Sequence, residues 1–283
     1  MTPVTYEASS TPTLQLESKG ARYAYRRFGK QRGRPLVFLQ RFRGTMDDWD
    51  PALLEPISKH RPIILFDAPG IGRSDGKTAS TVAGMASQAA GFIKALDAGR
   101  VDVLGFSLGG IVTQQLALDH PDLIDSIIVA GAGSGYLADA PPVDEKVKQV
   151  RDRPVYADED LLYLFFHDSP SSQAAGVAHL ARLRQRADAF AKLVVPESIA
   201  AQTSAIMAVG QPEGSLVPLL SRVSKRALIA NGFHDRMQPA YRSYVAATRI
   251  PDAKLVLYPD AGHGFLFQYH EEFSREVLTF LAK

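Results

Sequence analysis

The sequence predicts an α/β protein built on a mostly parallel sheet flanked by helices, and three observations lead to that class. Short runs rich in Val, Ile and Leu alternate with helical patterns along most of the chain. Most of these runs are continuously apolar, as suits strands covered on both faces. The chain has 283 residues and 46% hydrophobic content, enough to bury a sizeable core.

Taken in order, residues 13–17 and 21–28 alternate polar and apolar side chains and predict an exposed antiparallel hairpin. Buried strands follow at 35–39, 62–66, 101–106 and 124–130, and two more come much later, at 226–230 and 254–258. A last helix runs from about Glu271 to Leu281. Between 131 and 223 the rhythm breaks, and helical patterns take over at 158–166, 171–186 and 196–209. A glycine-rich run at 131–135 and Pro141-Pro142 mark the entrance to that span. It is far longer than a single crossover helix needs. We therefore expect a helical cap at 131–223 lying over the cleft, with the core formed by 1–130 and 224–283.

Composition excludes several classes of function. The 32 basic and 30 acidic residues are well mixed, with a net charge of +2, so neither nucleic acid nor a membrane surface is an expected partner. Cysteine is absent, which removes disulfides, thiolate catalysis and cysteine-ligated metals. Residues 1–10 carry no apolar h-region and no run approaches a membrane span, so a soluble, cytoplasmic protein is the expectation. No repeat or low-complexity tail is visible, and a homodimer stays open.

The chemistry is carried by Gly105-Phe106-Ser107-Leu108-Gly109, which leaves the strand at 101–106 and opens into a helical pattern. In a strand–turn–helix setting this Gly-x-Ser-x-Gly pattern pushes the serine oxygen into a cleft. A serine hydroxyl needs a base to take its proton, and the base needs an orienting carboxylate. Of seven histidines, His263 follows the last predicted strand directly and is flanked by Gly262 and Gly264. Functional groups collect at such carboxyl ends. His120 ends a helix, His60 precedes a strand, His167 and His179 fall in the cap, and His270 starts the final helix. Asp235 lies in the loop after the preceding strand, giving the order Ser107, Asp235, His263 that accompanies this elbow. Asp260 is a lesser candidate. The adjacent pair His234-Asp235 has no metal-ligand spacing, and neither a metal nor a cofactor is expected.

By these residues the chain resembles the α/β-hydrolase superfamily along nearly its whole length. The matching pieces are the elbow, the Asp67-Ala68-Pro69-Gly70-Ile71-Gly72-Arg73-Ser74-Asp75 loop, residues 231–239 and residues 261–265. The resemblance implies an eight-stranded sheet with a helical cap and a triad of Ser107, His263 and Asp235. The nearer likeness is to small esterases, lactonases and cofactor-free perhydrolases.

Acyl transfer also needs backbone N–H groups for the developing oxyanion. Leu108 should supply one and Phe42 the other. In the family the loop before the second donor often reads His-Gly, but here it reads Gln40-Arg41. A glycine there would adopt positive φ freely, whereas Arg41 would be strained or would force another loop geometry. Arg41 and Arg43 either meet an anionic substrate group or pair with Asp47 or Asp48. Phe106, Phe165 and Phe166 are further candidates for the pocket of a largely apolar acyl substrate. Gly70-Ile71-Gly72 has its third glycine one place late for a dinucleotide fingerprint. The expected activity is hydrolysis of a carboxylic ester or lactone through an acyl-enzyme. Perhydrolysis and C–C bond hydrolysis use the same triad, and a ligand receptor could keep the same fold.

Overall fold

A computed structural model describes residues 6–190 and 194–282; residues 1–5 of the N-terminal stretch and 191–193 of the expected cap lie outside it. After a short helix α1 (Glu7–Ser10), the chain forms the hairpin β1 (Leu14–Ser18) and β2 (Ala21–Gly29). The core continues with β3 (Leu36–Leu39), α2 (Pro51–Ser58), β4 (Pro62–Phe66), α3 (Val82–Ala95), β5 (Val101–Phe106), α4 (Leu108–Asp119) and β6 (Ile124–Ala130). Among the described residues four α-helices follow, α5 (Glu145–Arg151), α6 (Asp158–Phe165), α7 (Pro170–Leu183) and α8 (Pro196–Val209), with no strand between β6 and β7. The chain ends with β7 (Arg226–Gly232), α9 (Ala240–Arg249), β8 (Ala253–Tyr258), α10 (Phe265–Gln268) and α11 (His270–Leu281).

Among the described residues the sheet has eight strands in the order β1-β2-β4-β3-β5-β6-β7-β8, antiparallel for β1–β2 and β2–β4 and parallel elsewhere. Side chains alternate between two hydrophobic layers, which is why the central strands read as unbroken apolar runs. On β4, Ile63 and Leu65 join the layer of α2 and α11, while Ile64 and Phe66 join that of α3 and α4. Helix α4 is buried nearly all round because the sheet covers one side and α3 another.

Strand order reverses at β3 and β5, since the chain runs from β3 outward to β4 and then returns to β5 on the other side of β3. Crevices form outside the carboxyl ends of strands at such a point. The loop after β3 and the elbow after β5 are therefore neighbours, with Leu39 opposite Gly105 in the register.

Helix α5 was not evident in the sequence because only Val147 and Val150 of its seven residues are buried. Helix α7 starts as its residues dictate, with Ser169 accepting from the Ser172 N–H and Pro170 in the first turn. Among the described residues no helix is long and apolar enough to cross a membrane.

Candidate active site

Ser107 sits between β5 and α4 with φ 56° and ψ −120°, a backbone conformation that L-residues adopt at a cost of order 1–3 kcal/mol. Its N–H donates to Ala130 O at 2.8 Å, which ties the strained turn to β6. A Cβ on Gly105 would overlap the Gly109 carbonyl, and one on Gly109 would overlap the Leu39 carbonyl. Hydrogen at both positions lets the elbow close against β3.

His263 and Asp235 meet as expected. His263 Nδ1 lies 2.7 Å from Asp235 Oδ2 in a pair that is almost wholly buried. The other carboxylate oxygen accepts the Met237 and Gln238 N–H groups, each at 2.8 Å, so Asp235 is held from two sides. An N–H donated to a carboxylate places the ring proton on Nδ1 and leaves Nε2 as the basic atom. The imidazole lies against the Phe106 ring at 4.9 Å and the Phe165 ring at 5.4 Å. Gly264 N–H donates to Phe165 O at 2.6 Å, so the histidine loop is fastened to the end of α6. Ser107 Oγ makes no hydrogen bond among the described residues, and free enzymes commonly leave this contact long.

The rival residues stand elsewhere in the fold. Asp260 accepts from Ser171 Oγ at 2.5 Å on the surface. His120 caps α4, and His270 begins α11. His167 stacks on His234 at 4.0 Å. His179, on α7 within the expected cap, reaches the core with Nδ1 2.8 Å from Asp50 Oδ2. No group of three or more metal-ligating side chains occurs among the described residues.

The loop after β3 takes the second of the two courses expected of it, another geometry in place of strain at Arg41. Positive φ falls on Arg43, at 58°, and not on Arg41. Gly44 N–H donates to Arg41 O at 3.1 Å, closing a tight turn in which Arg43 takes the third place. Gln40 braces that turn, accepting the Arg41 N–H at 2.8 Å and donating to Thr45 O at 3.1 Å. A side-chain amide thus does in this loop what a flexible backbone does elsewhere. The Phe42 N–H and that of Leu108, first residue of α4, have no acceptor among the described residues. Arg41 pairs with Asp48, donates to Phe42 O at 3.0 Å and lies over the Phe165 ring at 5.1 Å. Arg43 has no carboxylate partner among the described residues; it donates to Arg153 O and rests on Tyr156.

A cavity of about 60 Å³ is lined by Ser107 together with Phe42 and Leu108. Its remaining wall is largely apolar, from Ile111 of α4, Val143 and Val147 at α5, Ile206 of α8 and Met237, with Arg151 and Gln238 as the polar contributors. Periodicity could not separate these residues from core positions. Of the pocket candidates, Phe106 is fully buried beneath the histidine, while Phe165, Phe166 and Arg41 line a second, larger cavity.

The profile of the α/β-hydrolase-fold family matches residues 34–268. An α/β-hydrolase-fold protein from Chitinophaga pinensis is 36% identical, with TM-score 0.89 over 97% of this chain and 98% of that one. A hydrolase from Pseudomonas aeruginosa is 26% identical, with TM-score 0.74 over 97% of this chain and 99% of that one. A 2-hydroxy-6-oxononadienedioate/2-hydroxy-6-oxononatrienedioate hydrolase from Burkholderia vietnamiensis is 27% identical over 229 residues, covering 78% of this chain and 76% of that protein.

Proposed function

The chain belongs to the α/β-hydrolase family, and from that membership we propose that it is a serine hydrolase cleaving a carboxylic ester or lactone through an acyl-enzyme. The observation that supports this reading is the buried Asp235–His263 bond, its imidazole packed on Phe106, the residue that precedes a serine held in a strained elbow. The Ser107 hydroxyl gives its proton to His263 Nε2 as Oγ forms a bond to the carbonyl carbon. The carbonyl π electrons move to oxygen, where the N–H groups of Leu108 and Phe42 receive the charge. His263 then returns the proton to the departing alkoxide, and Asp235 stabilises the imidazolium through Nδ1–H without itself taking the proton. Water, activated by the same imidazole, attacks the acyl carbon and releases the acid.

In this reading residues 131–223 act as a specificity cap, because α5 and α8 supply wall to the cavity that Ser107 shares. Its small size and apolar lining favour a short acyl group. The test is turnover of p-nitrophenyl acetate with fluorophosphonate labelling. Burst kinetics and labelling at Ser107 are expected in the wild type, and both should vanish in Ser107→Ala. Binding of small esters without any Ser107-dependent turnover would instead support a receptor.

A further inference from the structure

A second cavity, of about 290 Å³, lies between the core and helices α6 and α7. The turn after β3 stands between the two chambers, with Phe42 at the wall of the smaller one and Arg41 and Arg43 at the wall of the larger. Neither Ser107 nor His263 lines the larger chamber. Its body is apolar, built from Phe165, Phe166, Leu180, Leu183 and Phe267.

Charge at this wall does not cancel. Arg41 is paired with Asp48, and Arg184 with Asp158 at 2.5 Å. Arg43 is left without a carboxylate among the described residues, although it is fixed in place by Arg153 O, Pro154 O and the Tyr156 ring, 4.2 Å from its guanidinium carbon. A guanidinium carries five N–H groups, so Arg43 keeps free donors as well as its charge. A second polar atom belongs to His179. Asp50 holds its Nδ1, and Nε2 has no partner among the described residues.

The geometry points to an apolar monocarboxylate as the ligand of this chamber. Its aryl or alkyl body fills the Phe–Leu lining, and its carboxylate meets Arg43, whose planar fork matches that group. Among the described residues the wall carries one uncancelled charge, which a dianion would exceed and a neutral ligand would leave unused. At about 290 Å³ the chamber has room for a small ring carrying a short acid arm. This inference is independent of the reaction proposed for Ser107.

Isothermal titration with phenylacetate, which matches that size, and with uncharged phenylacetamide tests it. Saturable phenylacetate binding is expected, at least about tenfold tighter than the amide. Leu180→Trp should fill the chamber and remove binding while p-nitrophenyl acetate turnover stays within about twofold. Arg43→Gln should bring the acid down to the affinity of the amide, and Arg43→Lys should restore part of the difference. Wild-type protein phosphonylated at Ser107 should bind phenylacetate unchanged. Equal affinity for acid and amide, binding that survives Leu180→Trp, or loss of binding on phosphonylation would each overturn the proposal. Failure of Ser107 to react would count against the hydrolase reading and leave the acid–amide comparison standing.

Discussion

At the scale of single residues, the candidate chemistry depends on which atoms are already committed to partners. Asp235 holds the imidazole with one oxygen and two backbone N–H groups with the other. Asp235→Asn would keep the shape while presenting an amide N–H or a neutral oxygen to Nδ1. Ester turnover should fall by about 10⁴-fold, with Ser107 still present for slow labelling. Stopped-flow measurement of the acylation burst checks this. Arg41 behaves differently, because Asp48, Phe42 O and the Phe165 ring already occupy its guanidinium. Arg41→Ala should therefore slow anionic and neutral esters by the same factor, through a loosened turn. A selective loss on anionic esters in steady-state assays would show a substrate contact instead.

At the scale of elements, close backbone approach fixes where the helices can sit. Gly109 lies against the Leu39 and Gln40 carbonyls at the start of α4. Gly109→Ala would force α4 away from β3 and disturb the elbow, and more than about 3 kcal/mol of stability should be lost, read from the urea midpoint. Asp50 joins two elements at once. It caps α2 through the Ala52 N–H at 2.9 Å and receives Arg182 and His179 from α7. Burial pulls its carboxyl up, but the bonds from Arg182 and His179 outweigh that and hold it at about 2. Asp50→Ala should cost about 3–5 kcal/mol, since the half-buried Arg182 and the buried His179 lose their partner along with the cap.

At the scale of the whole molecule, two buried carboxyls give stability opposite slopes with pH. Asp50 titrates lower in the folded chain than in the unfolded one. Its contribution is complete above the ordinary value of 3.8 and is lost as pH falls toward about 2. Burial pushes Asp67 up to about 6 although the Met46 and Arg73 N–H groups donate to it. Its favourable contribution is therefore present below 3.8 and lost as pH rises through about 6. The shift corresponds to about 3 kcal/mol, or 1.36 kcal/mol per unit. Urea denaturation across pH 4–7 should show this decline in the wild type and its absence in Asp67→Asn.

The sequence by itself determined the α/β class and the eight strands, and it named the three residues proposed as the triad. Each of those signals is local. Buried parallel strands read as apolar runs, an elbow needs two glycines around its serine, and His263 and Asp235 stand directly after strands. It also allowed for the Arg41–Asp48 pair as one of two alternatives. Only the tertiary structure decided that positive φ falls on Arg43, because the Gln40 brace and the Arg41–Gly44 turn set that backbone together. Helix α5, the apolar wall around Ser107 and the placement of His179 on Asp50 were equally beyond the sequence. Those features depend on contacts between residues far apart in the chain. In a one-dimensional pattern a cavity wall and a core face carry the same residues at the same spacing.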